Sequence, residues 1–143
     1  REALHRAQLD QLPIMKTKSN AVIDVILEEK LVENAAKLGK VMRSEMDRLK
    51  AKHPSVREGR NIGLFGMIDI QKNSNGERIA PYNGSHPAMK ELNNFFREQG
   101  LFTFVRWGSF MCNPPLCITE EQLLECFAIV DEGLNITDRY FEG

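Results

Sequence analysis

The stretch at residues 102–123 reads FTFVRWGSFMCNPPLCITEEQL and combines strand, turn and helix-start signals within twenty-two positions. Phe102, Phe104 and Arg106 alternate along it, and a period of two places an arginine at the end of an aromatic strand face. A guanidinium in that position needs an anionic partner, because burying it unpaired is costly. The two prolines at 114–115 then end the sheet, since neither can donate a ladder hydrogen bond.

Outward from this stretch, the hydrophobic pattern predicts a mixture of helices and strands. Thr119 and Gln122 form a capping box, which predicts a last helix from residue 120 to about 141. The remaining predicted elements are helices at 1–12, 21–52 and 87–100, an edge strand at 56–60, a central strand at 62–71 and, after an Asn75–Gly76 turn, a strand at 77–80. We therefore expect an α+β fold, a small antiparallel or mixed sheet with helices packed on one side.

Length, charge and cysteine content narrow the class of protein. The 143 residues are expected to form a single domain, residues 1–143. The net charge of -1 argues against nucleic acid and against an anionic membrane as partners. No apolar run reaches the length of a membrane span, and the amino end lacks a signal-peptide core. The three cysteines form no CxxC pair, so we expect packing thiols in the reducing cytoplasm.

The stretch at 102–123 resembles the C-terminal part of class III aminotransferases, enzymes that use pyridoxal phosphate (PLP) and act on ω-amino acids. It looks closest to the ω-amino-acid:pyruvate and taurine:pyruvate members. Residues 21–38 (AVIDVILEEKLVENAAKL) resemble the helix that enters the small domain of these enzymes, and residues 53–69 (HPSVREGRNIGLFGMID) resemble its first strands. The family usually has an Arg-Gly step where Arg60 is followed here by Asn61. The resemblance implies the small domain of a fold-type I PLP aminotransferase.

The amino end adds to this resemblance. Residues 1–14 (REALHRAQLDQLPI) resemble the family's amino-terminal helix, which ends in Leu-Pro just before the large domain begins. The resemblance implies a small domain built from both its halves: residues 1–14, a junction at 15–20 and a C-terminal domain at 21–143, with the large PLP-binding domain missing. The alternative is that residues 1–20 are an unrelated leader.

The resemblance also implies which parts of the chemistry this chain lacks. A transaminase needs a lysine that forms a Schiff base with PLP, a carboxylate on the pyridinium nitrogen and donors around the phosphate. In the family these come from the large domain. We expect no catalytic or cofactor-binding residue in this chain and no PLP bound to it, because its lysines fall on polar helix faces, turns or the junction: Lys16, Lys18, Lys30, Lys37, Lys40, Lys50, Lys52, Lys72 and Lys90.

One functional residue of the family does map onto this chain. Arg106, by its place before the Trp-Gly turn and the Pro-Pro-Leu run, matches the small-domain arginine that binds the substrate carboxylate. A planar guanidinium suits that role, since it pairs with a carboxylate through two hydrogen bonds. The alternative from the residues alone is an arginine paired to a nearby glutamate. Trp107 is expected to be a packing residue, and the scattered histidines predict no metal site.

Two functional hypotheses remain open from the sequence. In the first, the chain is a fragment of an aminotransferase that moves an amino group from an ω-amino acid or amine to pyruvate or another keto acid, and it is inactive alone. In the second, it is a non-enzymatic binding or oligomerisation module. Apolar helix surface around Val22, Ile23 and Ile26 would then be exposed, which favours a homo-oligomer. A third alternative is an unrelated α+β domain with an accidental likeness.

Overall fold

A computed structural model describes residues 21–143 of the chain. The predictions for residues 1–20 lie outside the described residues. In the described part, three helices are α1 (Leu31–Lys52), α2 (Pro87–Glu98) and α3 (Glu120–Asp138). The strands are β1 (Val56–Ile62), β2 (Phe65–Ile70), β3 (Val105–Arg106) and β4 (Ser109–Cys112). Residues 21–28 are also helical, and no helix in residues 21–143 combines the length and apolarity needed to cross a membrane.

The four strands form one antiparallel sheet in the order β1-β2-β4-β3. The register pairs Ile68 with Phe110 and Asp69 with Ser109 on the two central strands. Strands and helices mixed in this way, with hairpin connections between neighbouring strands, confirm the predicted α+β fold.

The helices cover one face of the sheet and leave the other open. Helix α1 approaches β2 so closely that a Cβ on Gly66 would lie 2.7 Å from the Met46 Cε and 3.0 Å from the Met42 Sδ. Ile68 and Phe110 are fully buried on this inner face. Their neighbours along each strand, Asp69 and Ser109, therefore point to the outer face, because side chains alternate across a strand. The outer face carries the candidate site.

The predicted ends of two helices are confirmed by their caps. Thr119 accepts a hydrogen bond from the backbone N–H of Gln122, whose side chain accepts from the Thr119 N–H, as a capping box requires. His86 caps α2, with Pro87 in the first turn.

The prediction of one unbroken helix at residues 21–52 is wrong. The backbone turns at residues 29–30, where Lys30 has a left-handed φ of 52°, and α1 begins afresh at Leu31. The side chain of Asn34 donates to the carbonyl oxygens of Leu116 and Ile118 at 2.7 and 3.0 Å, which ties the start of α1 to the loop before α3. A tertiary contact of this kind leaves no trace in hydrophobic periodicity.

The prediction of one strand at residues 62–71 is also wrong. A two-residue turn at Gly63 and Leu64 divides the segment, and Ile62 pairs with Phe65 across it. Gly63 has a φ of 55°, which glycine adopts without steric cost. The apolar side chains of Ile62 and Phe65 stay exposed at the turn, so the sequence shows continuous hydrophobicity where the chain reverses.

The strand predicted at residues 77–80 is reduced to a single bridge. Gln71 pairs with Arg78, and the Ile79 N–H donates to the Ile70 carbonyl oxygen at 3.2 Å. The turn at Asn75–Gly76 is present, and Gly76 has the expected positive φ of 78°. Residues 77–80, here called the return segment, therefore lie beside the end of β2 without extending the sheet.

Candidate functional site

Arg106 is the last residue of β3 and stands on the outer face of the sheet. The strand reverses at Trp107–Gly108 into β4, and Arg106 pairs with Ser109 across this tight hairpin. Trp107 has a φ of 55°, a left-handed conformation that bulky residues rarely adopt. A Cβ on Gly108 would lie 3.2 Å from the Ile79 side chain. The hairpin is therefore held against the return segment after β2.

Aromatic rings hold the guanidinium of Arg106. Its central carbon lies 4.9 Å from the centroid of the Trp107 ring and 5.9 Å from that of the Phe104 ring. Trp107 in turn packs on Tyr82, with ring centroids 4.4 Å apart. Cation–π contacts at these distances are favourable and leave the N–H donors of the guanidinium fork available. Trp107 is thus in contact with Tyr82 and Arg106, in keeping with its predicted packing role.

No carboxylate of residues 21–143 pairs with Arg106. The ion pairs formed by the described arginines involve Arg48, Arg60 and Arg139. The glutamate partner that the sequence left open as an alternative is therefore not found in this part of the chain. Arg106 is exposed and offers its donors to whatever enters the space beside it.

That space is a cleft of about 260 Å³ on the outer face of the sheet, here called the arginine cleft. Arg60, Arg78 and Arg106 line it together with one acidic residue, Asp69. Apolar side chains complete the wall: Met67, Phe104, Trp107 and Met111. Sequence reasoning identified Arg106 alone. Nothing in the spacing of Arg60 and Arg78 relates them to it, because the sheet and the bridge at Gln71 bring them together.

Asp69 is almost fully buried, and its charge is compensated within the cleft. Arg60 Nη1 donates to Asp69 Oδ2 at 2.6 Å, and the Ser109 hydroxyl donates to Oδ1 at 2.6 Å. Glu58 also approaches Arg60, at 3.6 Å. Both carboxylates approach Nη1 of Arg60, and the buried carboxylate of Asp69 held in this way is a fixed part of the wall. Within residues 21–143, the charges of the cleft that have no ion pair are those of Arg78 and Arg106.

A second group of charges, here called the histidine cluster, joins the end of α1 to α3. It comprises Arg48, Lys52, His53, Asp131 and Asp138. The ring of His53 is 1% exposed, with Nδ1 2.6 Å from Asp138 Oδ2 and Nε2 2.8 Å from Asp131 Oδ1. Both nitrogens can donate together only when the ring is protonated.

Every charge of the histidine cluster has a partner. Desolvation favours the neutral form of Asp131, but hydrogen bonds from Lys52, Arg48 and His53 outweigh it and hold the pKa of Asp131 well below its usual range. Asp138 also accepts from the Ser55 hydroxyl at 2.6 Å. The hydroxyl thus points to Asp138 and not to His53, so this group lacks the nucleophile–base contact of a hydrolase.

Cys112 and Cys126 are packing residues, whereas Cys117 is exposed, so the prediction of packing thiols is wrong for Cys117. Cys112 and Cys126 line an apolar cavity of about 400 Å³ between the sheet and α3. Burial raises the pKa of the Cys112 thiol to about 12 and also raises that of Cys126. Thiols with raised pKa values are poor nucleophiles at neutral pH. In residues 21–143 no three His, Cys, Asp or Glu side chains form a metal-binding group.

The described lysines do not reach the arginine cleft. Lys37, Lys52 and Lys72 pair with Glu120, Asp131 and Glu142, all outside its lining. A Schiff base with PLP requires a lysine amine beside the reacting carbon. The arginines of the cleft suit a carboxylate. The described residues do not fit PLP there, because none of the lysines among them lines the cleft.

Comparison with known proteins places this chain in a family. The family model described as aminotransferase class-III matches residues 13–134. The chain belongs to the class III aminotransferases. Among curated class III relatives, an ornithine aminotransferase of Schizosaccharomyces pombe is 30% identical over 124 residues, which are 86% of this chain and 26% of the relative.

Solved structures agree with the family assignment. A taurine:2-oxoglutarate aminotransferase from Bifidobacterium kashiwanohense, in complex with PLP and glutamate, superposes with a TM-score of 0.77 at 30% identity. An acetylornithine aminotransferase from Elizabethkingia anophelis gives 0.68 at 32% identity. These matches cover 82% and 80% of this chain and 26% of each solved chain. The chain thus spans about a quarter of the length of its class III relatives.

Proposed function

We propose that this chain is the small domain of a class III aminotransferase and that Arg106 binds the carboxylate of the amino-acid or keto-acid substrate. The observation that carries the proposal is an exposed guanidinium, held by Trp107 and Phe104, that makes no ion pair with the described residues and lines a cleft. The intact protein would move an amino group from an ω-amino acid or amine to pyruvate or another keto acid.

The residues of the cleft suggest how Arg106 would act. A guanidinium donates two parallel hydrogen bonds to one carboxylate, which fixes the orientation of the bound acid as well as its position. The rings of Trp107 and Phe104 restrict the side chain beforehand, so less rotamer freedom is lost on binding. Apolar side chains beside the pair would lower the local dielectric and strengthen its electrostatic attraction. Arg106 would thus anchor one end of the substrate.

We propose further that the chain alone is inactive. In an intact class III enzyme, PLP supplies the electron sink for amino transfer. No lysine of residues 21–143 lines the arginine cleft. The chain also spans only about a quarter of the length of its relatives. PLP added to the chain should give no saturable Schiff-base absorbance band, and a saturable band that survives removal of free PLP would contradict this proposal.

Carboxylate binding tests the role of Arg106 directly. We expect the Arg106 side-chain N–H signal in a ¹⁵N spectrum of the chain to shift saturably with pyruvate or butyrate. Arg106→Gln should weaken binding about tenfold, since a charged bidentate pair contributes on the order of 1.5 kcal/mol. Arg106→Lys keeps the charge but loses the planar fork, so its affinity should fall between that of the unmodified chain and that of Arg106→Gln. Equal affinities for all three proteins would refute the anchor.

A second candidate function is self-association. On the helical segment at residues 21–28, Val22, Ile23, Val25 and Leu27 are between 46% and 68% exposed. An apolar patch of this kind favours contact with another protein surface, and a homo-oligomer is the partner we propose. Sedimentation across a range of concentrations should detect it, with Val22→Glu returning the chain to a monomer. The cytoplasmic location stays a prediction.

A further inference from the structure

We propose that Arg78 is a second carboxylate-binding residue, so that the arginine cleft selects small dicarboxylates over monocarboxylates. This inference rests on the proposed role of Arg106 as the first anchor. It assigns a selectivity to the site and a function to a residue in the return segment after β2. The ligand class is an aliphatic acid with a carboxylate at each end of a short chain.

The backbone on both sides of Arg78 is fixed. Arg78 pairs with Gln71, and the next residue, Ile79, is 4% exposed and donates its N–H to Ile70. The Ile79 side chain packs where Gly108 has no side chain, at the turn that follows Arg106. The two arginines are thus carried on segments that contact each other. The fold therefore positions the backbone of Arg78 beside the hairpin, and its exposed side chain lines the arginine cleft.

The charge distribution in the cleft favours a dianion. Arg60 is engaged by Asp69 at 2.6 Å and by Glu58 at 3.6 Å. Arg78 and Arg106 line the same cleft, and neither forms an ion pair with the residues that the structure describes. Two like charges in one cleft repel, and a single carboxylate neutralises only one of them. A ligand with two carboxylates compensates both.

The walls of the cleft suit the part of such a ligand between its carboxylates. Met67, Phe104 and Trp107 present apolar surface in the cleft that the two cationic side chains also line. A short methylene chain would bury against them, at a gain of roughly 0.8 kcal/mol for each buried CH₂. Sulfate carries the same charge at one centre and gains neither this contact nor a second anchoring point. Two-point binding therefore separates a dicarboxylate from a simple dianion.

The test compares glutarate, butyrate and sulfate as probes of the 143-residue chain. Dissociation constants come from the shifts of arginine side-chain N–H signals, at constant ionic strength because salt screens exposed charges. The variants are Arg78→Gln and Arg106→Gln. The matched control is Arg97→Gln, an exposed arginine in the last turn of α2 that lies outside the cleft lining.

For the unmodified chain we expect glutarate to bind about tenfold more tightly than butyrate or sulfate. This ratio is the gain in affinity expected from one additional hydrogen bond between charged groups. Arg78→Gln should abolish that preference while changing butyrate affinity less than about twofold. Arg97→Gln should leave all three constants unchanged. An Arg78→Gln variant that keeps the full preference, or a chain that binds sulfate as tightly as glutarate, would overturn the inference.

The same data separate this inference from the proposed function. If Arg106→Gln weakens butyrate but Arg78→Gln leaves the preference intact, the anchor stands and the second site is wrong. If Arg106→Gln leaves butyrate binding unchanged, the anchor itself is wrong and both proposals are lost. Amide spectra of each variant show whether the substitution has altered the fold.

Discussion

The arginine cleft and the histidine cluster contain the same kinds of charged side chain but differ in how the charges are compensated. In the cluster, Asp131 receives hydrogen bonds from Arg48, Lys52 and His53. In the cleft, Arg78 and Arg106 face a shared space with no ion pair among the described residues. The cluster joins two helices, whereas the cleft opens on the uncovered face of the sheet.

This difference separates a structural role from a binding role. Charges that satisfy one another hold segments together, and removal of one takes a partner away from each of the others. A side chain that lines a cleft without a partner contributes little to folding, and its donors remain available to a ligand. Substitutions in the cluster should therefore change stability, and substitutions in the cleft should change binding.

The largest expected effect on stability is that of His53→Ala. The ring is 1% exposed and contacts both Asp131 and Asp138, so its loss leaves a cavity and removes a side-chain contact from each acid. We expect the free energy of unfolding to fall by about 3 kcal/mol. Chemical denaturation of the chain measures this directly.

His86→Ala is the matched control for that experiment. His86 is only partly buried and caps α2 through one hydrogen bond to the Ala88 N–H. Loss of such a cap costs about 1 kcal/mol. If His53→Ala costs no more than His86→Ala, the histidine cluster does not have the structural role assigned to it.

A smaller effect separates the arginines within the cleft itself. Arg60→Gln leaves the buried carboxylate of Asp69 with Ser109 as its one side-chain donor in the described part of the chain. We expect a loss of about 1–2 kcal/mol from the free energy of unfolding. Arg78→Gln and Arg106→Gln should each change it by less than about 0.5 kcal/mol. A loss at Arg106→Gln equal to that at Arg60→Gln would mean that Arg106 is a structural residue.

The pH dependence of stability gives the smallest expected effect. The pKa of Asp131 is lowered in the folded state, so its stabilisation is present above the unfolded pKa of about 3.9 and is lost as pH falls below that value. The stability difference between the unmodified chain and Asp131→Asn should therefore shrink on going from about pH 6 to about pH 3.

Asp47→Asn is the control for the pH series, because Asp47 is exposed on α1 and forms no ion pair with the described residues. Its stability should follow that of the unmodified chain at every pH. If the stability difference between the unmodified chain and Asp131→Asn stays constant across the series, the charge of Asp131 does not stabilise the fold as proposed.

Local signals in the sequence were enough to predict much of the frame around the site. The capping box at Thr119, the Pro87 helix start and the alternation that ends at Arg106 each depend on residues a few positions apart. Such signals act through local hydrogen bonds and side-chain direction, which a single sequence records. They place the arginine hairpin and the helices beside it.

The remainder of the site depends on contacts between distant residues. Arg60, Asp69 and Arg78 join Arg106 only after the chain reverses at Gly63–Leu64 and again at Asn75–Gly76. The first turn was missed because exposed apolar residues flank it. The ion pair between Arg60 and Asp69 was missed because it forms across the β1–β2 hairpin, whose existence depends on that turn.

A crystal structure of the chain grown with pyruvate tests the central claim most directly. The claim predicts a carboxylate in the arginine cleft whose two oxygens accept from Arg106 nitrogens at about 2.7–2.9 Å, with the guanidinium still against Trp107. Matched crystals of Arg106→Gln should show no carboxylate there. A guanidinium that turns away from the cleft, or pairs with a protein carboxylate while pyruvate is saturating, would contradict the account.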